Sequence, residues 1–133
     1  MAVHGPELVG RRFSSQRRCV ASAQSIRTFA EAIGADSRFT PPTFLISFSV
    51  AAAEEFLPAL GFDWARVVHG DQRFLHHRDI QPGEELSYSS EIESYKNLAG
   101  NEFVSIRTDF FSVENSELVS ATWSTLVFRG EQS

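Results

Sequence analysis

Residues 44–57 read FLISFSVAAAEEFL, and the first two-thirds of that stretch carries no charge. A helix that is apolar on nearly every side is one that the rest of the protein covers. The segment is therefore predicted as a buried helix, roughly 21 Å long at 1.5 Å per residue. Pro41-Pro42-Thr43 marks its start, because the residue before a proline is pushed out of helical geometry. Pro58 and Gly61 mark its end. Upstream, Ile26, Phe29, Ala30 and Ile33 share one face of a shorter helix. Ser22 is suited to cap that helix at its N-terminus and Gly34 at its C-terminus. Residues 11–21 read as an edge strand with Arg11, Arg12, Arg17 and Arg18 toward solvent.

After Arg66 the period changes. Residues 66–78 form a first long strand candidate, closed by the turn Gln81-Pro82-Gly83-Glu84. In residues 85–95, Leu86, Tyr88 and Ile92 fall on one face, with Glu85, Ser87, Ser89, Glu91 and Glu93 on the other. That alternation marks a strand with one wet face. Residues 103–113 and 118–128 give two more strands, apolar on both sides in places, so that one side faces the helix and the other a partner or a ligand. By simple alternation, His69 and His77 share a face of their strand and His76 points the other way. The predicted order is strand, helix, buried helix, then a meander of long strands. An α+β domain of this kind, with a curved antiparallel sheet wrapped on a central apolar helix, is the hot-dog arrangement, a form of helix-on-sheet layering.

Composition narrows the function classes. The 133 residues suffice for one domain, residues 1–133, and not for two. A net charge of −5 argues against a nucleic-acid backbone as partner, since such sites need a basic surface. Cys19 is the single cysteine, so no intrachain disulfide forms. No apolar run reaches the length of a membrane span, and the first ten residues lack a signal pattern. A soluble, cytoplasmic protein is expected. Four His and one Cys show no metal-ligand spacing, and no cofactor is implied.

Three stretches, PPTFLISFSV from Pro41, RVVHGDQRFLHHRDIQPGEEL from Arg66 and IESYKNLAGNEFVSIRTDFF from Ile92, together resemble the MaoC-like dehydratase family. Within it they are closest to the small non-catalytic subunits, of the FAS1-like dehydratase domain type, of actinobacterial (3R)-hydroxyacyl-thioester dehydratases. The resemblance implies a fold that pairs with a second hot-dog unit, either its own copy or a catalytic subunit. It also implies an acyl thioester, carried on coenzyme A or acyl carrier protein, lying along the central helix. On that basis Pro42, Thr43, Phe44 and Phe48 are the candidate substrate-binding residues, although aromatics on a buried helix are ordinarily core.

The reaction needs a base for an α-proton and an acid for the β-hydroxyl, each contributing ~10²–10⁴-fold, and a donor for the thioester oxygen. Active members of the family carry Asp-x-Asn-Pro followed by His in the loop after the first helix. Here that loop reads Gly34-Ala35-Asp36-Ser37-Arg38-Phe39-Thr40-Pro41-Pro42: an Asp without Asn-Pro, with Pro41 at the His position, and shorter than in related subunits. Asp36 and His69 are the remaining catalytic candidates, against the commoner readings of a solvated loop Asp and a hydrogen-bonded strand His. The arginine pairs could meet a carrier phosphate, but charged edge residues also simply block edge-to-edge pairing. Three functions follow: a non-catalytic thioester-binding subunit, a self-sufficient homodimeric hydratase, or a non-enzymatic acyl-thioester scaffold.

Overall fold

A computed structural model describes residues 4–14 and 18–130. Ser22 caps helix α1 (Ala23–Ala32), its hydroxyl accepting from the Ser25 amide. Gly34, at φ 74°, closes α1. Its own amide donates to Glu31 O at 3.2 Å and that of Ala35 to Ala30 O at 2.8 Å, a left-handed cap that suits glycine.

Helix α2 (Ile46–Ala59) starts two residues later than the apolar run suggests and runs through Pro58. Phe44 and Leu45 belong to the preceding turn, where the Phe44 amide donates to Pro41 O. Pro58 is tolerated because it stands in the last turn and is exposed, where a carbonyl left without its intrahelical donor can meet water.

The remaining elements build one antiparallel sheet. Strand β1 (Arg12–Ser14) and strand β2 (Cys19–Ala21) both pair with β4 (Glu84–Leu98), which pairs in turn with β5 (Asn101–Ser112). β6 (Leu118–Phe128) follows, and β3 (Val67–His76) lies beyond it at the edge. The single edge strand expected over residues 11–21 is thus two short ones. Arg17 falls outside the described residues. Arg12 and Arg18 are exposed and bridged to Glu91 and Glu85 of β4, at 2.7 and 3.2 Å.

The alternation read in β4 holds: Leu86, Tyr88 and Ile92 are buried and face α2 together with Ile106 and Phe110 of β5. Their cross-strand partners are Ile92↔Ile106 and Tyr88↔Phe110. On the convex side one row crosses the whole sheet: Arg73, Trp123, Arg107, Glu91, Arg12. Trp123 lies between two guanidinium groups, 4.9 Å from Arg73 and 5.2 Å from Arg107.

The buried core splits into two clusters bridged by α2. Ala53, Phe56 and Leu57 join Ile92, Ile106, Leu126 and Phe128. Ala52 joins Leu45, Leu86, Phe110 and Val119. The cover over α2 is incomplete, however. Ser47, Ala51, Glu54 and Glu55 stay exposed, so the sheet wraps one side of a helix whose composition suggested burial all round.

β3 contains a bulge between His69 and Asp71, after which it pairs on with β6. His69 stands opposite Leu126 and His76 opposite Ser120, positions of equal parity on β6, so both belong to the same sheet face. The opposite assignment from simple alternation fails because the bulge inserts one residue into the count. His77 lies beyond the strand.

Cys19 is half-buried, and loss of hydration pushes its thiol up to about 11. Between the ordinary thiol range and pH 11 the unfolded chain gives up a proton that the folded chain keeps, so this group lowers stability as pH rises through that window. At pH 8 about one thiol in a thousand is ionised in the fold, and the thiolate is the reactive form. Iodoacetamide at pH 8 is therefore expected to label Cys19 on the order of a hundred times more slowly in the native chain than in urea. Equal rates, followed by mass spectrometry, would contradict this assignment.

Candidate functional site

The turn before α2 is held from three directions. The Thr40 hydroxyl donates to Ile80 O at 2.8 Å. The Ile46 amide donates to Thr43 O at 3.0 Å. His76 Nε2 donates to the Pro42 carbonyl at 2.6 Å. A carbonyl can only accept, so the hydrogen sits on Nε2. In the neutral ring Nδ1 then accepts the Ser120 hydroxyl at 2.7 Å. Phe74, two residues before His76, stacks on its ring at 5.8 Å.

This turn delivers Phe44 to the seam between the two helices. Phe44 is 2% exposed and meets Phe29 of α1 edge-on at 5.7 Å and Phe48 of α2 edge-on at 5.5 Å. Edge-to-face contacts at these distances are favourable ring geometries. The three rings floor a groove of about 560 Å³, with Ser22, Gln24, Ser25, Thr28, Ala32 and Ser47 around it. The Ser22, Ser25 and Ser47 hydroxyls already donate within the chain. An apolar floor with a small polar rim is the ordinary form of a site for an apolar ligand.

Of the predicted binding residues, Phe44 and Phe48 meet in this groove. Pro42 and Thr43 are exposed in the turn leading to it. Phe29 belongs there as well, although its sequence signal was only that of a core-facing helix position.

The two catalytic candidates are not brought together. Asp36 is locked to Arg38 through both carboxylate oxygens, at 2.7 Å for Nη2 and 3.0 Å for Nε. The Arg38 hydrogen bonds hold its carboxyl below the usual carboxylate range, the reverse of what a proton donor near neutrality requires. His69 is exposed, and its Nε2 lies 2.9 Å from the Asp71 carbonyl.

Among the described residues, the one histidine in contact with a carboxylate is His4. Its Nδ1 is 2.7 Å from Glu102, its Nε2 is 2.9 Å from the Leu60 carbonyl, and its ring stacks on Phe62 at 3.8 Å. Tyr95 donates to the same carboxylate at 2.7 Å. Burial, then that bond, push its hydroxyl up to about 12. None of these residues lines the groove; His4, Glu102 and Tyr95 tie the start of the described chain to the turn end of the β4–β5 hairpin. Among the described residues no three metal-ligating side chains converge, and no helix is long and apolar enough to cross a membrane.

The connection between the helices is bare. Ile33 ends the apolar stripe of α1 yet is 53% exposed, and Phe39 is 66% exposed.

Comparison with known proteins adds three findings. The family model described as FAS1-like, dehydratase domain region, matches residues 34–120. A UPF0336 protein of Streptomyces coelicolor is 35% identical over 143 aligned positions, taking in 94% of this chain and 95% of the relative. Since 94% of the chain is about 125 residues, about 18 of those 143 positions have no counterpart here. The fold superposes on a chain of the C-terminally truncated HadBC (3R-hydroxyacyl-ACP dehydratase) complex from Mycobacterium tuberculosis. The TM-score is 0.80 at 20% identity, covering 96% of this chain and 99% of that one. It also superposes on a MaoC-like dehydratase, with TM-score 0.81, 19% identity, and 92% and 42% of the two chains covered. At such identities the likeness is one of fold.

Proposed function

Because the chain belongs to the FAS1-like, MaoC-like family of hot-dog dehydratases, we propose that it is the thioester-binding, non-catalytic subunit of a (3R)-hydroxyacyl-thioester dehydratase or enoyl-thioester hydratase. The observation that carries this reading is the aromatic groove between α1 and α2, placed beside a turn that contains no acid–base pair. In this reading Phe29, Phe44 and Phe48 take the acyl chain. The Thr43 amide, which has no acceptor among the described residues, donates to the thioester oxygen. The whole chain acts as one hot-dog module in the cytoplasm.

Proton transfer comes from a second hot-dog subunit carrying Asp-x-Asn-Pro followed by His. Three uncovered features favour such a companion: the outer edge of β3, which among the described residues pairs only on its β6 side, the exposed face of α2, and the Ile33 and Phe39 side chains. Open strand edges and exposed apolar patches mark interaction surfaces. The carrier is coenzyme A or acyl carrier protein.

Hydration of crotonyl-coenzyme A, followed by loss of its enoyl absorbance, tests the proposal. The purified chain alone is expected to be inactive, and the chain co-expressed with an Asp-x-Asn-Pro-x-His subunit from the same genome to be active. Turnover by the isolated chain that disappears in His69→Ala would replace this reading with that of a self-sufficient enzyme. Tight acyl-coenzyme A binding with no turnover in any mixture would make it a scaffold.

A further inference from the structure

We infer that His76 is a positioning residue: by holding the Pro42 carbonyl it aims the Thr43 N–H at the thioester oxygen. The inference rests on the thioester-binding reading above and adds to it a residue on a different element.

A peptide unit is planar, with almost no freedom about its C–N bond. No peptide bond among the described residues is cis, so the Pro42 C=O and the Thr43 N–H point in opposite directions from one rigid plate. His76 Nε2 grips the carbonyl at 2.6 Å, which fixes the direction of the N–H. The turn cannot swivel, because the carbonyls on either side are also engaged: Pro41 O accepts from Phe44 and Thr43 O from Ile46, each at 3.0 Å. The Thr43 amide is thus a donor set in advance of any ligand, one residue before the Phe44 floor of the groove.

His76 is itself held. Ser120 is fully buried and contacts Nδ1 at 2.7 Å. Ser120 → His76 → Pro42 carbonyl forms a chain of hydrogen bonds in one direction, and such chains polarise the groups along them. A carbonyl that accepts a strong hydrogen bond leaves its own N–H a better donor. Preorganised donors of this kind are what an enolate-like oxygen needs, and they are equally useful for holding the ground-state carbonyl in a fixed pose. The neighbouring His77 has no such tie among the described residues, and His69 bonds only a carbonyl of its own strand.

The test uses crotonyl-coenzyme A labelled with ¹³C at the thioester carbonyl, bound to the purified full chain and read by difference infrared spectroscopy. Binding to the wild-type chain is expected to move the carbonyl band to lower wavenumber. In His76→Phe at saturating protein the band should return to its free position, with affinity weaker by about tenfold, the loss of about one hydrogen bond. His76→Gln, which keeps a side-chain N–H, should restore the shift. Ser120→Ala, which leaves the Nε2 donor in place, should give an intermediate band and serves as a second variant if His76→Phe does not fold. A wild-type band position in the His76→Phe complex, or, if that variant does not fold, in the Ser120→Ala complex, would overturn the inference. So would a bound but unshifted carbonyl in the wild-type chain, a result that leaves the acyl groove standing. No binding of any acyl-coenzyme A would remove the groove reading and this inference together.

Discussion

Phe110→Ala is expected to cost about 3–5 kcal/mol, the range for truncating a fully buried phenylalanine. The ring has no exposed surface. It sits near the C-terminal end of β5 on the concave face, opposite Tyr88 on β4 and Ser120 on β6, and packs in the cluster with Leu45, Ala52 and Val119. Domains of this size have a total stability of about 5–15 kcal/mol, so about a fifth or more of it rests on this side chain. Phe111, the next residue, is only half-buried and faces the convex side with Ser87. Phe111→Ala should cost markedly less, about 1 kcal/mol, as partly exposed positions do. Urea unfolding of both variants settles the matter. If Phe111→Ala were the more damaging, the assignment of faces along β5 would be reversed.

The second large effect is on binding. Phe48→Asp is expected to weaken decanoyl-coenzyme A binding by about a hundredfold or more, corresponding to about 3 kcal/mol. The change removes a ring that contacts Phe44 at 5.5 Å and puts a carboxylate on the floor of the groove proposed for the acyl chain, which costs desolvation as well as lost apolar contact. Phe48 is half-buried at the groove surface and outside the fully buried core, so the melting temperature should fall by only a few degrees, as for about 1 kcal/mol in a domain of this size. Calorimetric titration reads the first number and thermal unfolding the second. Unchanged affinity in a folded variant would show that the acyl chain does not use this groove.

How far the sequence reaches can be judged from particular residues. Ser22 and Gly34 bound α1 because capping is local chemistry, legible in a few adjacent residues. β4 is legible from Leu86 to Ile92 because period two survives wherever one face is wet. The start of α2 was misplaced because Pro41-Pro42 sets up a turn whose hydrogen bonds consume Phe44 and Leu45 before the helix begins. In β3 the faces of the histidines were misread, since a bulge leaves no mark on hydrophobic alternation when the strand lies at an edge and is largely exposed.

The site was less legible than the fold, for one physical reason. That Phe44 and Phe48 share one groove is legible because both lie in one apolar run. Their companion Phe29 comes from another helix, and His76 reaches Pro42 across 34 residues. His4 meets Glu102 across 98. Contacts of that span leave no periodic trace, so a strand histidine and a clamp on the turn before a helix read alike until the chain is folded.

The bulge in β3 also gives that strand a spare part. Gly70 is stepped over in the ladder: His69 faces Leu126, and Asp71 already faces the adjacent Thr125. A β-carbon at Gly70 would come within 3.2 Å of the Thr125 carbonyl, which favours the smallest residue there. Removing Gly70 altogether would leave every other partner in place and simply straighten the ladder, so a lost codon at this point is absorbed as slack. The same loss in the middle of β5, where Val104 to Phe110 pair without interruption, would turn half a strand inside out.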